Sequence, residues 1–194
     1  IKGNLSENIL KTLNVSTKQD IVKAHTLNAN AYEYFLKADY IWRKRRNMEN
    51  TEIVRGLLHK AIDLDENLIS PRNLLGWTYF ETGNYDKAIE IYTLALTQAK
   101  EIGDKRGIGH SLNNIGVIYW RKGEYGTALD YYKSSLKIKE ELGDKYGIGS
   151  SLNNIGILYD INDCDTALEY LDRSFAMFEE LGDKYGIGSS LLSI

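Results

Sequence analysis

Residues 103–120 read GDKRGIGHSLNNIGVIYW, and nearly the same letters return twice further along the chain. GDKYGIGSSLNNIGILYD occupies residues 143–160, and GDKYGIGSSLLSI occupies residues 182–194. The three copies begin 40 and 39 residues apart. Self-similarity at such a period predicts a chain of stacked structural repeats, in which each unit packs mainly against its neighbours.

Each repeat has the pattern of two amphipathic helices. Apolar and small residues recur at spacings of three and four, at Leu112, Ile115, Gly116 and Tyr119 on the first segment and at Leu129, Tyr132 and Leu136 on the second. Gly123 is expected to end the first helix, while Gly143 and Asp144 supply a C-cap and then the next N-cap. With one proline and no strand-like alternation, the sequence predicts an all-α fold.

The order of small and aromatic residues in these helix pairs resembles the tetratricopeptide repeat. Two copies match its signature, namely Gly76, Tyr79, Gly83, Tyr85, Ala88, Tyr92, Ala95 and Gly116, Tyr119, Gly123, Tyr125, Ala128, Tyr132, Ser135. A third copy keeps Gly156, Tyr159 and Ala167, but it lacks the turn glycine and has Leu171 in place of an aromatic. The long period is similar to the variant in kinesin light chains and polarity adaptors, which bind peptides. The resemblance implies an α-solenoid, a right-handed superhelix of antiparallel helix pairs.

The resemblance also divides the chain into segments. These are residues 25–68 as a divergent first repeat, residues 69–102, 103–142 and 143–181 as full repeats, and residues 182–194 as the first helix of a further, truncated repeat. Ser70 is expected to cap the first helix of the second repeat, with Pro71 in its first turn. Residues 1–24 are expected to be the tail of a preceding domain or a linker helix. The run SENILKTLNVSTKQD at residues 6–20, followed by TLNANAYEYFLKADY at residues 26–40, resembles the junction before the repeats in bacterial cyclase-associated and transcription-regulator proteins.

Two sets of recurring residues are predicted to be structural. The Gly-Ile-Gly steps at residues 107–109 and 147–149 are expected to allow close helix packing, because a phosphate-binding loop would need a preceding strand. The aromatic signature positions are expected to form the core, and they comprise Tyr79, Tyr92, Tyr119, Tyr132 and Tyr159.

The composition argues against several classes of function. A net charge of −3 and a pI near 5.7 disfavour nucleic-acid binding, so the basic run at residues 43–46 is interpreted as a solvated helix end, with a nucleic-acid contact as the alternative. No apolar run approaches the roughly 18 residues needed for membrane insertion. One cysteine and three separated histidines predict no metal site. Without a triad or a phosphate loop, we expect no enzyme activity and no cofactor, and a cytoplasmic location is favoured.

The candidate binding residues lie on the first helix of each repeat, which lines the inner surface of the superhelix in this family. They are Asn73, Trp77, Phe80, His110, Asn113, Asn114, Trp120, Arg121, Asn153, Asn154 and Asp160, with Glu81, Val117 and Ile157 on the same surface. Paired asparagines are poor helix formers, and their amides suit either an extended peptide backbone or hydrogen bonds between neighbouring repeats. Both interpretations stay open. In the family, the position matched by Asn114 and Asn154 commonly contacts the peptide.

The sequence therefore predicts a protein- or peptide-binding scaffold, with the asparagines contacting a peptide backbone and Trp77, Phe80 and Trp120 as apolar anchors. The alternative is a regulatory or sensory segment of a larger bacterial signalling protein, a cyclase or a transcription regulator, whose catalytic part lies elsewhere. The last helix carries Ile187, Leu191, Leu192 and Ile194 and is expected to expose apolar surface, which also predicts self-association.

Overall fold

The computed structural model describes residues 28–44, 48–159 and 163–193, and within these ranges the chain forms nine α-helices and no strand. The helices are α1 (Ala29–Lys44), α2 (Met48–Leu64), α3 (Ile69–Glu81), α4 (Tyr85–Glu101), α5 (Lys105–Arg121), α6 (Tyr125–Leu142), α7 (Lys145–Tyr159), α8 (Cys164–Leu181) and α9 (Lys184–Leu192). The all-α prediction is confirmed. The predicted segment 1–24 and Asp160 lie outside the described residues.

The chain divides into two compact units, residues 1–98 and residues 99–194. In the first unit, a buried cluster joins residues from all four helices, and it consists of Ala38, Trp42, Val54, Leu58, Leu75 and Ile91. Arg55 on α2 crosses to α3, where it donates to the Thr78 hydroxyl at 3.1 Å and its guanidinium lies 3.9 Å from the centre of the Tyr79 ring. Apolar burial and one well-partnered arginine therefore hold α2 against α3.

In the second unit, the helices of each pair approach closely because glycine faces a large side chain. A Cβ atom added at Gly116 would lie 2.7 Å from the Tyr132 ring, and one added at Gly156 would lie 2.7 Å from Leu171 Cγ. The Gly-Ile-Gly steps allow a further contact, since the Ser135 hydroxyl donates to the Gly109 carbonyl at 2.8 Å. Among the Gly-Ile-Gly steps, close packing is seen at Gly149, where an added Cβ atom would lie 3.1 Å from the Phe178 ring, whereas one added at Gly109 would meet Ile138 at an ordinary distance of 3.5 Å.

The predicted helix ends are mostly confirmed. Gly123 and Gly143 have positive φ angles of 78° and 64°, and Asp144 Oδ1 accepts from the Gly147 amide at 3.0 Å. The prediction for Ser70 was wrong, because α3 begins at Ile69 and Leu68 holds the N-cap position without a side-chain hydrogen bond. Leu68 and Ile69 are buried, so apolar packing rather than a hydroxyl cap begins this helix.

The tyrosines predicted to form the core fall into two groups. Tyr92 and Tyr132 are buried as expected. Tyr79, Tyr119 and Tyr159 are only half-buried, because they lie near the ends of their helices and pack at the edge of the core. Two of these stack on a tyrosine of the following helix, with 5.6 Å between ring centres in both pairs, Tyr119 with Tyr131 and Tyr159 with Tyr170.

Candidate functional site

A pocket of about 120 Å³ opens between α5, α6 and α7 in the second unit. Val117 and Trp120 form one wall, Asn154 and Ile157 form the opposite wall, and Tyr132 completes the lining. Each wall is made of residues three apart, which stand on the same side of a helix. Because a water molecule takes about 30 Å³ of liquid volume, the pocket has room for one apolar side chain of moderate size. We call it the α5–α7 pocket.

A polar cluster adjoins this pocket and shares Asn154 with it. Asn113 Oδ1 accepts from Asn154 Nδ2 at 3.3 Å and from Lys139 Nζ at 3.5 Å. Lys139 also donates to the Ser151 hydroxyl at 2.9 Å. The cluster of Asn113, Lys139, Ser151 and Asn154 therefore ties α6 to the first helices of two successive repeats.

Lys139 carries a charge in an unfavourable place. Its side chain is 4% exposed, and burial lowers its pKa to about 8, while the carboxylate of Asp144 acts in the opposite direction. Among the residues that the structure describes, no carboxylate lies within salt-bridge distance of its ammonium group. The partners that hold it are a neutral hydroxyl and a neutral amide.

The next repeat lacks this arrangement. Phe178 stands at the position of Lys139, and Asn153 stands at the position of Asn113. Asn153 is 7% exposed, and its Oδ1 has no hydrogen-bond partner among the described residues. Asn113 and Asn153 are therefore not equivalent, although they occupy the same position in successive repeats. The oxygen of Asn113 accepts a hydrogen bond from Asn154, whereas the oxygen of Asn153 has no partner among the described residues.

Three further candidates lie on α5, and none of them is among the residues that line the pocket. The Arg121 guanidinium lies 5.1 Å from the centre of the Trp120 ring, a distance typical of cation–π contact. His110 is exposed at the surface, and its pKa is lowered first by partial desolvation and then by the nearby cation of Lys139. Asn114 is half-buried on α5 and is not among the residues that line the pocket.

The candidates in the first unit have a different setting. Trp77 is half-buried and packs on the core cluster of that unit, and Asn73 is half-buried on the same helix. Phe80 is 8% exposed, and its ring centre lies 4.8 Å from that of Trp77 and 5.8 Å from that of Tyr85. The role of Phe80 as an apolar anchor stays a prediction, and its two aromatic neighbours leave little of the ring exposed.

Sequence reasoning missed Lys139, Ser151 and Tyr132 as neighbours of the candidate site. A signal for Lys139 was present, since the corresponding positions of the flanking repeats hold Ala99 and Phe178, and a lysine at a position that is otherwise apolar breaks the helical pattern.

Within the described ranges, no helix is long and apolar enough to cross a membrane, and no three His, Cys, Asp or Glu side chains are grouped to hold a metal ion.

Comparisons with known proteins agree with the geometry. Among solved structures, the chain resembles aspartyl phosphate phosphatase F from Bacillus subtilis, with a TM-score of 0.76 and 18% identity over 90% of this chain and 47% of that chain. It also resembles a Rap protein complexed with competence and sporulation factor, with a TM-score of 0.75 and 16% identity over 95% of this chain and 53% of that one.

A signal transduction ATPase with a tetratricopeptide repeat sensor, from Pyrococcus horikoshii, is similar with a TM-score of 0.61 and 18% identity over 97% of this chain and 35% of that protein. The chain thus spans about half or less of these three neighbours, and the likeness at these identities establishes the fold alone. A comparison with curated protein sequences gives no match. A family model described as tetratricopeptide repeat matches residues 68–141 and again residues 107–180. Since these matches cover more than half of a chain made of helix pairs, the chain belongs to the tetratricopeptide repeat family.

Proposed function

We propose that this chain is a peptide-binding scaffold and that the α5–α7 pocket holds one apolar side chain of the bound peptide. The observation that carries the proposal is the pocket itself, where apolar walls lie directly beside the asparagine amides of the polar cluster. An apolar cavity with a few convergent polar groups is the usual form of a binding site.

The chemistry of the two parts suits an extended peptide. The pocket can bury a single side chain, while an amide, which both donates and accepts, can pair with the peptide backbone. The walls belong to helices that pack on the core, so the site is preformed and less ordering entropy is lost on binding. A Rap protein of the same fold has been solved in complex with competence and sporulation factor, which gives a precedent for binding by this architecture.

Selection from a library of random linear peptides tests the proposal. Peptides that bind the wild type are labelled, and their dissociation constants are measured by fluorescence anisotropy. Trp120→Ala should weaken binding by about thirtyfold, the loss of about 2 kcal/mol expected for a central aromatic contact. Val117→Glu should abolish binding, because a carboxylate would enter the apolar pocket unpaired.

Tyr185→Ala is the matched control, since Tyr185 is an aromatic residue of the same unit that is 85% exposed and lies on α9. Its affinity for the selected peptides should equal that of the wild type. If Val117→Glu and Trp120→Ala bind every selected peptide as tightly as this control does, the pocket is not the binding site.

The predicted regulatory role is a second proposal, and it rests on the resemblance of residues 6–20 and 26–40 to the junction that precedes repeats in bacterial signalling proteins. The domain content of the full-length gene product tests it directly. A cyclase, kinase or DNA-binding domain on the same polypeptide would support the role, and the absence of any such domain would remove it.

We also propose that α9 mediates self-association with a second copy of the chain. Leu191 and Leu192 are adjacent and are 55% and 91% exposed. Replacing both with glutamate should weaken a concentration-dependent dimer, because burying apolar surface drives such association. Sedimentation velocity checks this, with Leu168→Glu on α8 as the control, since Leu168 is also exposed, at 42%. A monomer at every concentration, or a dimer indifferent to the double change, would contradict the proposal.

A further inference from the structure

Lys139 buries an ammonium group without a paired carboxylate among the described residues. A buried ammonium group is costly unless a carboxylate pairs with it, and here its partners are the Ser151 hydroxyl and the Asn113 amide. The flanking repeats place Ala99 and Phe178 at the same position, so this type of helix pair packs without a lysine. Helix packing therefore does not account for the lysine, and we expect its charge to act on the polar side chains beside it.

Its charge determines which way the Asn113 amide faces. An ammonium group has three donors and no acceptor, so it stabilises the orientation in which Oδ1 points toward it. Rotating the amide by half a turn would place Nδ2 against both the ammonium group and Asn154 Nδ2, so that two attractive contacts would become donor–donor repulsions. The orientation in the structure, with Oδ1 accepting from both groups, is thus the one that the charge favours.

The orientation passes from Asn113 to Asn154. Asn154 Nδ2 is used in the bond to Asn113, so its Oδ1 occupies the opposite side of that amide, and Asn154 lines the α5–α7 pocket. Asn113 in turn has its Nδ2 directed away from the lysine, and its side chain is only partly buried. The two amides therefore offer one donor, on Asn113, and one acceptor, on Asn154, beside the same apolar pocket.

We propose that Lys139 is a positioning residue that makes Asn113 a donor and Asn154 an acceptor toward the backbone of one extended peptide residue. That residue would accept from Asn113 through its carbonyl, donate its N–H to Asn154, and place its apolar side chain in the α5–α7 pocket. The inference rests on the proposed peptide-binding function and adds the register and direction of the peptide to it.

The following repeat supplies the contrast within the same chain. With Phe178 in the place of Lys139, no cation of the described residues holds the corresponding amide, and the Asn153 oxygen is buried without a partner among them. The orientation of the Asn153 amide is therefore not fixed by a cation as that of Asn113 is. The ordered backbone contact belongs to the Asn113 and Asn154 pair, and the register of the peptide is fixed at the α5–α7 pocket.

Backbone N-methylation of a selected peptide, combined with Lys139→Met, tests this inference. A set of peptides is made in which each carries one N-methyl group, and affinities are measured by anisotropy. For the wild type, one position should show a loss of about tenfold, the worth of one backbone hydrogen bond. For Lys139→Met, the unmethylated peptide should bind about tenfold more weakly, and the loss caused by N-methylation at that position should disappear.

Lys139→Phe serves as a second variant, because it copies the residue of the next repeat, and Phe178→Met is the matched control, which should keep the full N-methylation loss. Circular dichroism confirms that each variant is folded. If the lysine affected only the packing of the helices, its replacement would change the affinity of all peptides equally and leave the N-methylation loss unchanged. The inference is overturned if N-methylation costs the wild type and both variants the same affinity, or if it costs the wild type none at any position. If Val117→Glu still abolishes binding in that case, the proposed function stands.

Discussion

Gly116→Leu should unfold the second unit or lower its free energy of unfolding by about 3 kcal/mol or more, and Gly116→Ala should lower it by about 1–3 kcal/mol. Even a single Cβ atom at this position would lie 2.7 Å from the Tyr132 ring and 3.3 Å from the Ala128 carbonyl oxygen. The ring is buried and the carbonyl belongs to helix α6, so neither can move without disturbing the packing of the pair. Urea denaturation measures the loss.

Gly126→Ala is the matched control for this substitution. Gly126 is also helical and lies in the same unit, but nothing stands within 4 Å of a Cβ atom added there. Alanine is favoured over glycine in helices by up to about 1 kcal/mol, so this variant should be as stable as the wild type or slightly more stable. Equal stability of Gly116→Ala and Gly126→Ala would refute the packing of α5 on α6.

Lys139→Met should raise the free energy of unfolding at pH 7 by about 2 kcal/mol. Burial lowers the pKa of Lys139 from 10.5 to about 8, and each pKa unit corresponds to about 1.4 kcal/mol of lost stability while the group stays charged. Loss of the hydrogen bond to Ser151 offsets about 1 kcal/mol of the gain. Thermal and urea denaturation check the result, and a variant less stable than the wild type would show that the charge is better solvated than its burial implies.

The same shift predicts the pH dependence. Below pH 8 the lysine is protonated in both the folded and the unfolded chain, so the full cost is present. Between about pH 8 and 10.5 the unfolded chain binds more protons than the folded one, so the stability of the wild type should rise with pH. Lys139→Met should lack this rise. The comparison is best made up to about pH 9.5, because tyrosines titrate near pH 10.

Much of the fold could be predicted from the sequence because glycines that recur at a fixed period mark helix ends and close helix contacts. Gly143 adopts a left-handed conformation that other residues rarely adopt, and Gly116 admits a ring where any side chain would clash. These constraints are local or act between adjacent helices, so a pattern of letters captures them. Ser70 shows the limit, since burial of its neighbours Leu68 and Ile69 outweighed the local preference for a hydroxyl cap.

The site was harder to predict because it depends on which faces remain open after packing. Trp77, Phe80 and Trp120 look alike in sequence, yet aromatic neighbours cover Phe80 while Trp120 lines a pocket. The hydrogen bond between Asn113 and Asn154 joins residues of different repeats, and the lysine that orients it comes from a third helix. Such three-helix arrangements arise from tertiary packing, and spacing within one helix does not encode them.

The three tryptophans provide the most direct measurement of whether a peptide occupies the α5–α7 pocket. Each indole N–H gives one cross-peak in a proton–nitrogen correlation spectrum of ¹⁵N-labelled protein, and a selected peptide is added stepwise. The indole signal of Trp120 and the side-chain amide signal of Asn154 should shift together and saturate at the measured affinity, while the signal of Trp42, which is 5% exposed in the core of the first unit, stays in place. Saturable binding that leaves the Trp120 and Asn154 signals unmoved would contradict the account.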